Sequence, residues 1–236
     1  MNERYFILGA SSDMGMAFLE RLCLNGGISV IAHARAGGRQ FEELISQMNG
    51  IAGVSVKVKK ADLLFEDETM DLMSFVKREF SFPTHIAHFP ADSFNYSKMS
   101  KLKWEKVQKG LDIQVRSLFF AFKEFLPLMA KQGSGKAAVV LSSSIIGLPP
   151  KHMADYVIAK HALLGLVNSA ASEWAGKVAV NAVSPGMVKT KFWAGVDERL
   201  LEMGRGKENS MNEVMDALEF LLSEKSDGMN GVNLEL

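Results

Sequence analysis

Short apolar runs alternate with longer amphipathic segments along almost the whole chain, and this alternation restricts the fold more than any other feature. The runs have the length of buried strands; they are Tyr5–Leu8, Ser29–Ala32, Val54–Val58, Ile86–Phe89, Ala137–Leu141, Ala179–Val183 and Gly231–Leu234. The segments between them carry apolar residues at helical spacing: Met14–Asn25, Arg39–Met48, Glu66–Phe80, Trp104–Lys131, Met153–Ala175 and Met211–Ser223. Because parallel strands are joined by crossovers of about a dozen or more residues, the pattern predicts an α/β fold, a doubly wound parallel sheet of about seven strands with helices on both faces.

Length and charge exclude several classes of protein. The 236 residues predict one domain, 1–236, with a substrate lid around residues 189–210 where the pattern is least regular. Lys plus Arg and Asp plus Glu are both 27, so neither nucleic acid nor an anionic membrane surface is an expected partner. The single cysteine, Cys23, permits no internal disulfide, and no apolar run is long enough for a signal peptide or a membrane span. We therefore expect a cytoplasmic protein.

The first apolar run leads into a glycine turn that opens a helix. The turn reads Gly9-Ala-Ser-Ser-Asp13-Met-Gly15. A helix N-terminus carries unpaired backbone N–H groups and the positive end of the helix dipole, so it attracts a phosphate. A glycine turn here predicts binding of a dinucleotide's pyrophosphate, with a tight structural turn as the alternative. We expect Asp13 to turn away from the phosphates and cap the helix.

The strongest chemical signal is a tyrosine and a lysine four positions apart on a predicted helix. Tyr156 and Lys160 follow the run Ser142-Ser143-Ser144-Ile-Ile-Gly147. Residues at i and i+4 share a helix face, so the ammonium can lie near the phenol, whose unperturbed pKa is about 10. One ammonium at about 4 Å can lower that value by a few units, which would make the phenol an acid–base group near neutral pH. A plain helix-surface pair is the alternative for Tyr156 and Lys160 alone.

Together these motifs resemble the short-chain dehydrogenase/reductase family, and the resemblance covers nearly the whole chain. The family's first turn reads T-G-x-x-x-G-x-G; Gly9 and Gly15 match it, while Leu8 and Asp13 differ. The stretch from Asn181 to Thr190 matches the family's N-x-(V/I)-x-P-G-x-(V/I)-x-T. The resemblance, in particular to 3-oxoacyl-[acyl-carrier-protein] reductase-like members, implies a Rossmann-type fold and a divergent member of the family.

The resemblance also assigns catalytic roles. Tyr156 is expected to be the acid–base residue, and Lys160 its partner. Ser144 matches the family's serine by its S-x-x-G context and is expected to polarise the substrate oxygen, with Ser143 as the alternative candidate because Ser144 lies one position closer to Tyr156 than is common. Gln114 stands where an asparagine normally links the lysine to solvent through a water.

The resemblance implies a nicotinamide cofactor; the residues themselves favour NADP(H) over NAD(H), since Arg35 follows the second strand and Ser11 and Ser12 can add hydroxyl donors, and no metal ion is expected. The implied cofactor-binding residues are Gly9, Ser11, Ser12, Met14, Gly15, Arg35, Asp62, Leu63, His88, Pro90, Tyr156, Lys160, Pro185, Gly186, Val188 and Thr190. No acid follows the second strand, where Arg35 can bind a 2′-phosphate or else lie solvated on the surface. Asp62 and Leu63 stand where the family's D-(L/V) contacts the adenine, although Asp62 can also be a turn residue. His88 lies in a stretch, His88-Phe-Pro90-Ala91, that departs from the family's N-N-A-G, and we expect it to be a structural residue or part of the wall of the cofactor site rather than a catalyst or metal ligand.

The expected function is NADPH-dependent reduction of a ketone or 3-oxoacyl group, with a small carbonyl or alcohol as substrate. The alternative is a regulatory or scaffold protein that kept the cofactor but not efficient catalysis. A third possibility is sugar-nucleotide epimerisation, which uses the same Tyr/Lys pair but usually needs a larger substrate domain than 236 residues supply. Apolar residues in the predicted lid indicate an apolar pocket or ordinary packing: Phe192, Trp193, Leu200, Leu201 and Met203. The resemblance implies a homodimer or homotetramer formed through the 104–131 and 153–175 helices, and small residues on the second helix permit close contact: Ala159, Ala162, Gly165, Ser169 and Ala170.

Overall fold

A seven-stranded parallel sheet forms the centre of the protein. The computed structural model describes residues 3–93, 96–193 and 208–236. Within them the strand order is β3-β2-β1-β4-β5-β6-β7. The strands are β1 Glu3–Leu8, β2 Ile28–Ala34, β3 Ser55–Lys60, β4 His85–His88, β5 Lys136–Val140, β6 Ala179–Ser184 and β7 Asn233–Glu235. Strands β2 and β3 lie on one side of β1, and β4 to β7 lie on the other. The switch point between β1 and β4 is therefore inside the sheet, where doubly wound proteins bind ligands.

Every predicted helical segment is helical in the structure. The helices are α1 Asp13–Leu24, α2 Arg39–Asn49, α3 Glu66–Phe80, α4 Trp104–Leu111, α5 Ser117–Gln132, α6 Ala154–Glu173 and α7 Met211–Leu222. The long segment expected from residue 104 is divided by a π-helical turn, Asp112–Arg116, between α4 and α5. Such a turn inserts an extra residue into the helical repeat.

Helices cover both faces of the sheet, as the continuous apolar strands require. On one face α1, α2 and α7 bury Phe18, Phe41 and Leu218 against the strands. On the other, α3, α5 and α6 bury Leu72, Phe125 and others. None of the helices in the described ranges is long and apolar enough to cross a bilayer.

Candidate active site

The carboxyl ends of the central strands surround a cleft of about 630 Å³. Most of the predicted site residues line it: Gly9, Ser11, Ser12, Met14, Arg35, Asp62, Leu63, Pro90, Tyr156, Lys160, Pro185, Gly186, Val188 and Thr190. Four predicted residues are not among those lining it, namely Gly15, His88, Gln114 and Ser144. The fold therefore brings together the glycine turn, the ends of β2 to β6 and the first turns of α6.

Ser12 and the two glycines shape the turn between β1 and α1. Gly9 has a φ of +74°, a conformation that other residues rarely adopt. The Ser12 hydroxyl donates to the Gly9 carbonyl at 2.8 Å and accepts from the Gly15 N–H at 3.1 Å, which caps the helix. A Cβ on Gly15 would lie 2.4 Å from the Gly9 oxygen, so its role is close packing of turn and helix. The turn is thus tightly fixed, and the first residues of α1, Asp13 and Met14, line the cleft.

Asp13 does not cap the helix, and that prediction was wrong. Ser12 is the cap because its extended backbone places its hydroxyl under the first turn. Asp13 is the first residue of α1, and its carboxylate accepts a hydrogen bond from the backbone N–H of Lys191 at 2.6 Å. The Lys191 ammonium lies 3.8 Å from the other carboxylate oxygen of Asp13 and donates to the Gln40 side chain at 3.0 Å. A contact between residues 178 positions apart in sequence leaves no signal in local patterns.

His33, which the sequence analysis missed, fastens the glycine turn to the ends of two strands. Its Nδ1 accepts from the Gly9 N–H at 3.0 Å, so Nε2 carries the proton that it donates to the Ala61 carbonyl, also at 3.0 Å. Burial lowers the pKa of His33, more than the bond to Ala61 and the nearby Asp62 raise it. The neutral ring is therefore a fixed part of the cleft wall.

His88 is buried and is not among the residues that line the cleft, and its contact with the cofactor stays a prediction. The side chain is fully buried, and its Nε2 lies 3.2 Å from the Ser117 hydroxyl. Ser117 donates to the Ile113 carbonyl at 2.7 Å, so its oxygen accepts from His88. Burial first, and then the Lys160 charge, holds the pKa of His88 well below its usual range. His88 is thus a neutral, structural link between β4 and the start of α5.

Gln114 points into the same interior. It is only 1% exposed, and within the described residues neither its Oε1 nor the Nδ1 of His88 has a hydrogen-bond partner. Buried polar atoms of this kind are usually satisfied, often by an ordered water. The role expected for Gln114 beside Lys160 stays a prediction.

The residues after β2 and β3 form the far end of the cleft. Arg35 is exposed at the rim, directly after β2. The Asp62 carboxylate accepts from the Leu64 N–H at 3.0 Å and closes its own turn, which is the structural alternative for this residue. Asp62 and Leu63 nevertheless line the cleft, so both readings apply to Asp62.

Lys160 and Tyr156 extend from the same face of α6. Lys160 is 2% exposed; its ammonium donates to the Val140 carbonyl at 2.8 Å and lies 5.7 Å from the centre of the Tyr156 ring. Burial lowers the pKa of Lys160 to about 7. Burial also raises the pKa of Tyr156, against the lowering effect of a hydrogen bond with Ser142. Desolvation is thus the largest effect on the pKa of both side chains. The protein groups alone do not produce the lowering of the Tyr156 pKa that was expected from Lys160.

Ser142, and not Ser143 or Ser144, is the serine at the cleft surface beside Tyr156. β5 ends at Val140, and a 3₁₀ turn of residues Ser143–Ile145 follows with Ser142 as its cap. The Ser142 oxygen accepts from the Ser144 hydroxyl at 2.9 Å and from the Ser144 N–H at 3.2 Å. With both acceptor positions filled, the Ser142 proton is left to donate to Tyr156 or to a bound oxygen. The expected place of Ser144 next to the phenol is corrected accordingly: Ser144 orients Ser142.

The loop after β6 is braced from two sides. The Gly186 N–H donates to the Asn209 side chain at 2.7 Å, and the Asn209 N–H donates to Met187. On the other side, the Pro185 carbonyl accepts from the Ser143 N–H at 2.8 Å. Asn209, which the sequence analysis did not single out, thus fixes the loop that carries Pro185 to Thr190.

Two aromatic residues of the predicted lid lie against the site. The Phe192 ring is 5.7 Å from the Tyr156 ring and 5.0 Å from that of Trp193. Phe192 and Trp193 both line the cleft. The other apolar residues named for the lid, Leu200, Leu201 and Met203, lie outside the described residues.

Comparison with known proteins places the chain in a family. A family model described as Enoyl-(Acyl carrier protein) reductase matches residues 9–236. The human dehydrogenase/reductase SDR family member 4 is 27% identical over 220 residues, which cover 91% of this chain and 74% of that protein. An uncharacterized oxidoreductase of Bacillus subtilis, YmfI, is 28% identical, over 98% of this chain and 96% of that protein.

Solved structures share the fold over the whole chain. A short-chain type dehydrogenase/reductase from Mycobacterium ulcerans superposes with a TM-score of 0.87 at 20% identity, covering 100% of this chain and 88% of that one. NAD⁺-bound xylitol dehydrogenase gives 0.83 at 22%, and ElxO with NADP bound gives 0.82 at 20%; each match covers 100% of this chain and 97% of the other. The family model covers nearly the whole chain, and the chain belongs to the short-chain dehydrogenase/reductase family of oxidoreductases.

Proposed function

We propose that the protein is an NADPH-dependent reductase of a ketone or 3-oxoacyl group. The observation that carries the proposal is the position of Tyr156, Ser142 and Lys160 in the same cleft as a helix-opening glycine turn. Xylitol dehydrogenase and ElxO, which share the fold, bind NAD⁺ and NADP respectively. A nicotinamide cofactor therefore suits this chain, and the choice between the two rests on its own residues.

The residues present fit a dinucleotide. The Gly9–Gly15 turn offers first-turn N–H groups of α1 to a pyrophosphate, and it leaves no room for side chains at its glycines. Asp62 and Leu63 line one end of the cleft, and Pro185 to Thr190 line the other beside Tyr156. When bound, the nicotinamide supplies the hydride and a positive charge in its oxidised form.

The chain's own groups then handle the substrate oxygen and its proton. Ser142, oriented by Ser144, donates a hydrogen bond to the carbonyl oxygen, and Tyr156 gives that oxygen its proton. Lys160 is buried under the phenol with a pKa near 7, so it can hold or release a proton at neutral pH. Phe192 shields the phenol from water on one side.

Preference for NADPH is assigned to Arg35. It is exposed directly after β2 at the cleft rim, where a guanidinium can bind a phosphate with two parallel hydrogen bonds. An acid at this position would favour NADH instead.

A second candidate function is a cofactor-binding regulatory or scaffold protein with little turnover. Two observations favour it: Asp13 places a carboxylate in the phosphate-binding turn, and Gln114, which stands where the family has an asparagine, is buried with an oxygen that has no partner among the described residues. Oxidation of NADPH and of NADH is to be followed with a panel of ketones and 3-oxoacyl thioesters. Turnover of any member supports the reductase; cofactor binding without turnover of any member supports the second candidate.

Homo-oligomer formation, as a dimer or tetramer, is proposed through α4 to α6. These helices expose Trp104, Phe119 and Ile158, whose side chains are 65%, 47% and 40% exposed. Of the small residues named for this face, Ala159 and Ala170 are buried in the core, and Gly165 and Ser169 are exposed. Light scattering at micromolar concentration tests this proposal, and a monomer contradicts it.

A further inference from the structure

Asp13 joins two elements that lie far apart in the sheet. It opens α1, which follows β1, while Lys191 follows β6. Strands β4 and β5 lie between β1 and β6, so the segment after β6 runs back across the carboxyl edge of the sheet to reach Asp13. Thr190, Lys191 and Phe192 line the cleft along that path.

The contact with Asp13 immediately precedes the aromatic residue that lies against the proposed acid. The bond from the Lys191 N–H to Asp13, at 2.6 Å, fixes the backbone one residue before Phe192. The Phe192 ring lies 5.7 Å from the Tyr156 ring, and Trp193 packs edge-on against Phe192. We propose that Asp13 is a positioning residue: through the Lys191 backbone, its carboxylate holds Phe192, with Trp193 packed on it, against Tyr156.

This role explains why an acidic residue is compatible with a phosphate-binding turn. The carboxylate points at the Lys191 N–H, and the Lys191 ammonium at 3.8 Å offsets part of its charge. The charge still lies on a turn that lines the cleft. Asp13 therefore favours substrate positioning while it weakens the attraction of the turn for phosphate, and the two effects respond differently to substitution.

The structural consequence can be measured without turnover. In a Trp104→Phe/Trp174→Phe background, Trp193 is the single tryptophan of the chain. Asp13→Ala removes the acceptor for Lys191, so the emission of Trp193 is expected to shift to the red and its quenching by acrylamide to increase. Asp13→Asn keeps an oxygen acceptor and is expected to retain the original emission. Asp67→Ala, an exposed aspartate in the first turn of α3, controls for the loss of a helix-dipole contact.

The kinetic consequence rests on the proposed function. For a carbonyl substrate, Asp13→Ala is expected to lower kcat/KM by about tenfold, the value of one charge-assisted hydrogen bond. The affinity for NADPH is expected to stay equal or to rise, since a negative charge leaves the turn. Asp13→Asn keeps a neutral acceptor, so it is expected to recover most of the lost kcat/KM, and its affinity for NADPH is expected to match that of Asp13→Ala.

Two results overturn the proposal: unchanged Trp193 emission in a folded Asp13→Ala protein, or an Asp13→Asn protein as altered in emission as Asp13→Ala. If the wild-type protein turns over no carbonyl, the proposed function fails, and the emission of the cofactor-free variants still decides the role of Asp13.

Discussion

The Nδ1 atom of His33 accepts a hydrogen bond from the backbone N–H of Gly9 across 3.0 Å, and its Nε2 donates to Ala61. The imidazole thereby ties the phosphate-binding turn after β1 to the end of β3. His33→Leu removes both bonds, so we expect the free energy of unfolding to fall by about 2–4 kcal/mol and cofactor affinity to fall with it. Chemical unfolding and cofactor titration measure the two effects.

His33→Asn is the matched control because its side-chain oxygen can replace Nδ1 toward Gly9.

Burial lowers the pKa of His33, so the unfolded state takes up a proton first as the pH falls below about 6.5. The stability contributed by the neutral ring is present above that pH and is lost as the pH falls toward the folded-state pKa. Undiminished cofactor affinity in His33→Leu would show that the turn does not depend on this histidine.

Lys160 gives the protein a stability that rises with pH. Burial lowers its pKa to about 7, whereas an unfolded lysine titrates near 10.4. Well between these values the unfolded state binds one more proton, so raising the pH from about 8 to about 9 stabilises the wild type relative to Lys160→Met by about 1.4 kcal/mol, with a shallower rise near pH 7. Unfolding of both proteins across this range tests the difference. Parallel stability curves would mean that the buried amine keeps an ordinary pKa.

Arg35 is expected to determine cofactor preference. Loss of a charge-assisted contact with the 2′-phosphate costs about 1.5–3 kcal/mol, so Arg35→Ala should bind NADPH more weakly by about tenfold to a hundredfold and NADH unchanged. Arg39→Ala is the control, since that guanidinium donates to Glu43 at 2.8 Å on the exposed face of α2. Calorimetric titration of both cofactors into the three proteins decides the assignment; equal affinities of the wild type for NADPH and NADH would refute it.

Replacing each of three adjacent serines by alanine is expected to lower turnover by very different amounts. Ser142→Ala removes the hydroxyl beside Tyr156, so turnover should fall by about 10²–10³, as for other donors to a developing oxyanion. Ser144→Ala leaves that hydroxyl but not its orientation, and a loss of about tenfold or less is expected. Ser143→Ala should have no effect on kcat, because its contact with Pro185 is made by the backbone. A larger loss in Ser144→Ala than in Ser142→Ala would restore the assignment made from the S-x-x-G context.

The sheet could be predicted because most of its strands are short apolar runs that alternate with helical segments. The ends of β3 were less clear: it was predicted to stop at Val58, whereas the strand continues through Lys59 and Lys60. In the described part of the chain β3 is an edge strand whose one neighbour is β2, so one side of it tolerates lysines. The π-helical turn at Asp112–Arg116 was not predicted, since one extra residue hardly changes helical periodicity.

The candidate site was predicted where a motif is local, and less well where it depends on tertiary contacts. Tyr156 and Lys160 reach the cleft because one helix carries both. The serine was misplaced because the turn after β5 decides which hydroxyl points inward. His33 was overlooked inside an apolar strand, and the contact of Asp13 with Lys191 joins distant parts of the chain.

The most direct measurement of the central claim is single-turnover reduction of a carbonyl substrate by Tyr156→Phe with NADPH bound. The substitution deletes one oxygen and keeps the ring against Phe192, so cofactor affinity should survive while turnover falls by about 10²–10⁴. Lys160→Ala should weaken both, since it removes a buried amine beneath the phenol. A Tyr156→Phe protein that retains more than about a tenth of wild-type turnover would contradict the account, because a general acid contributes far more than that.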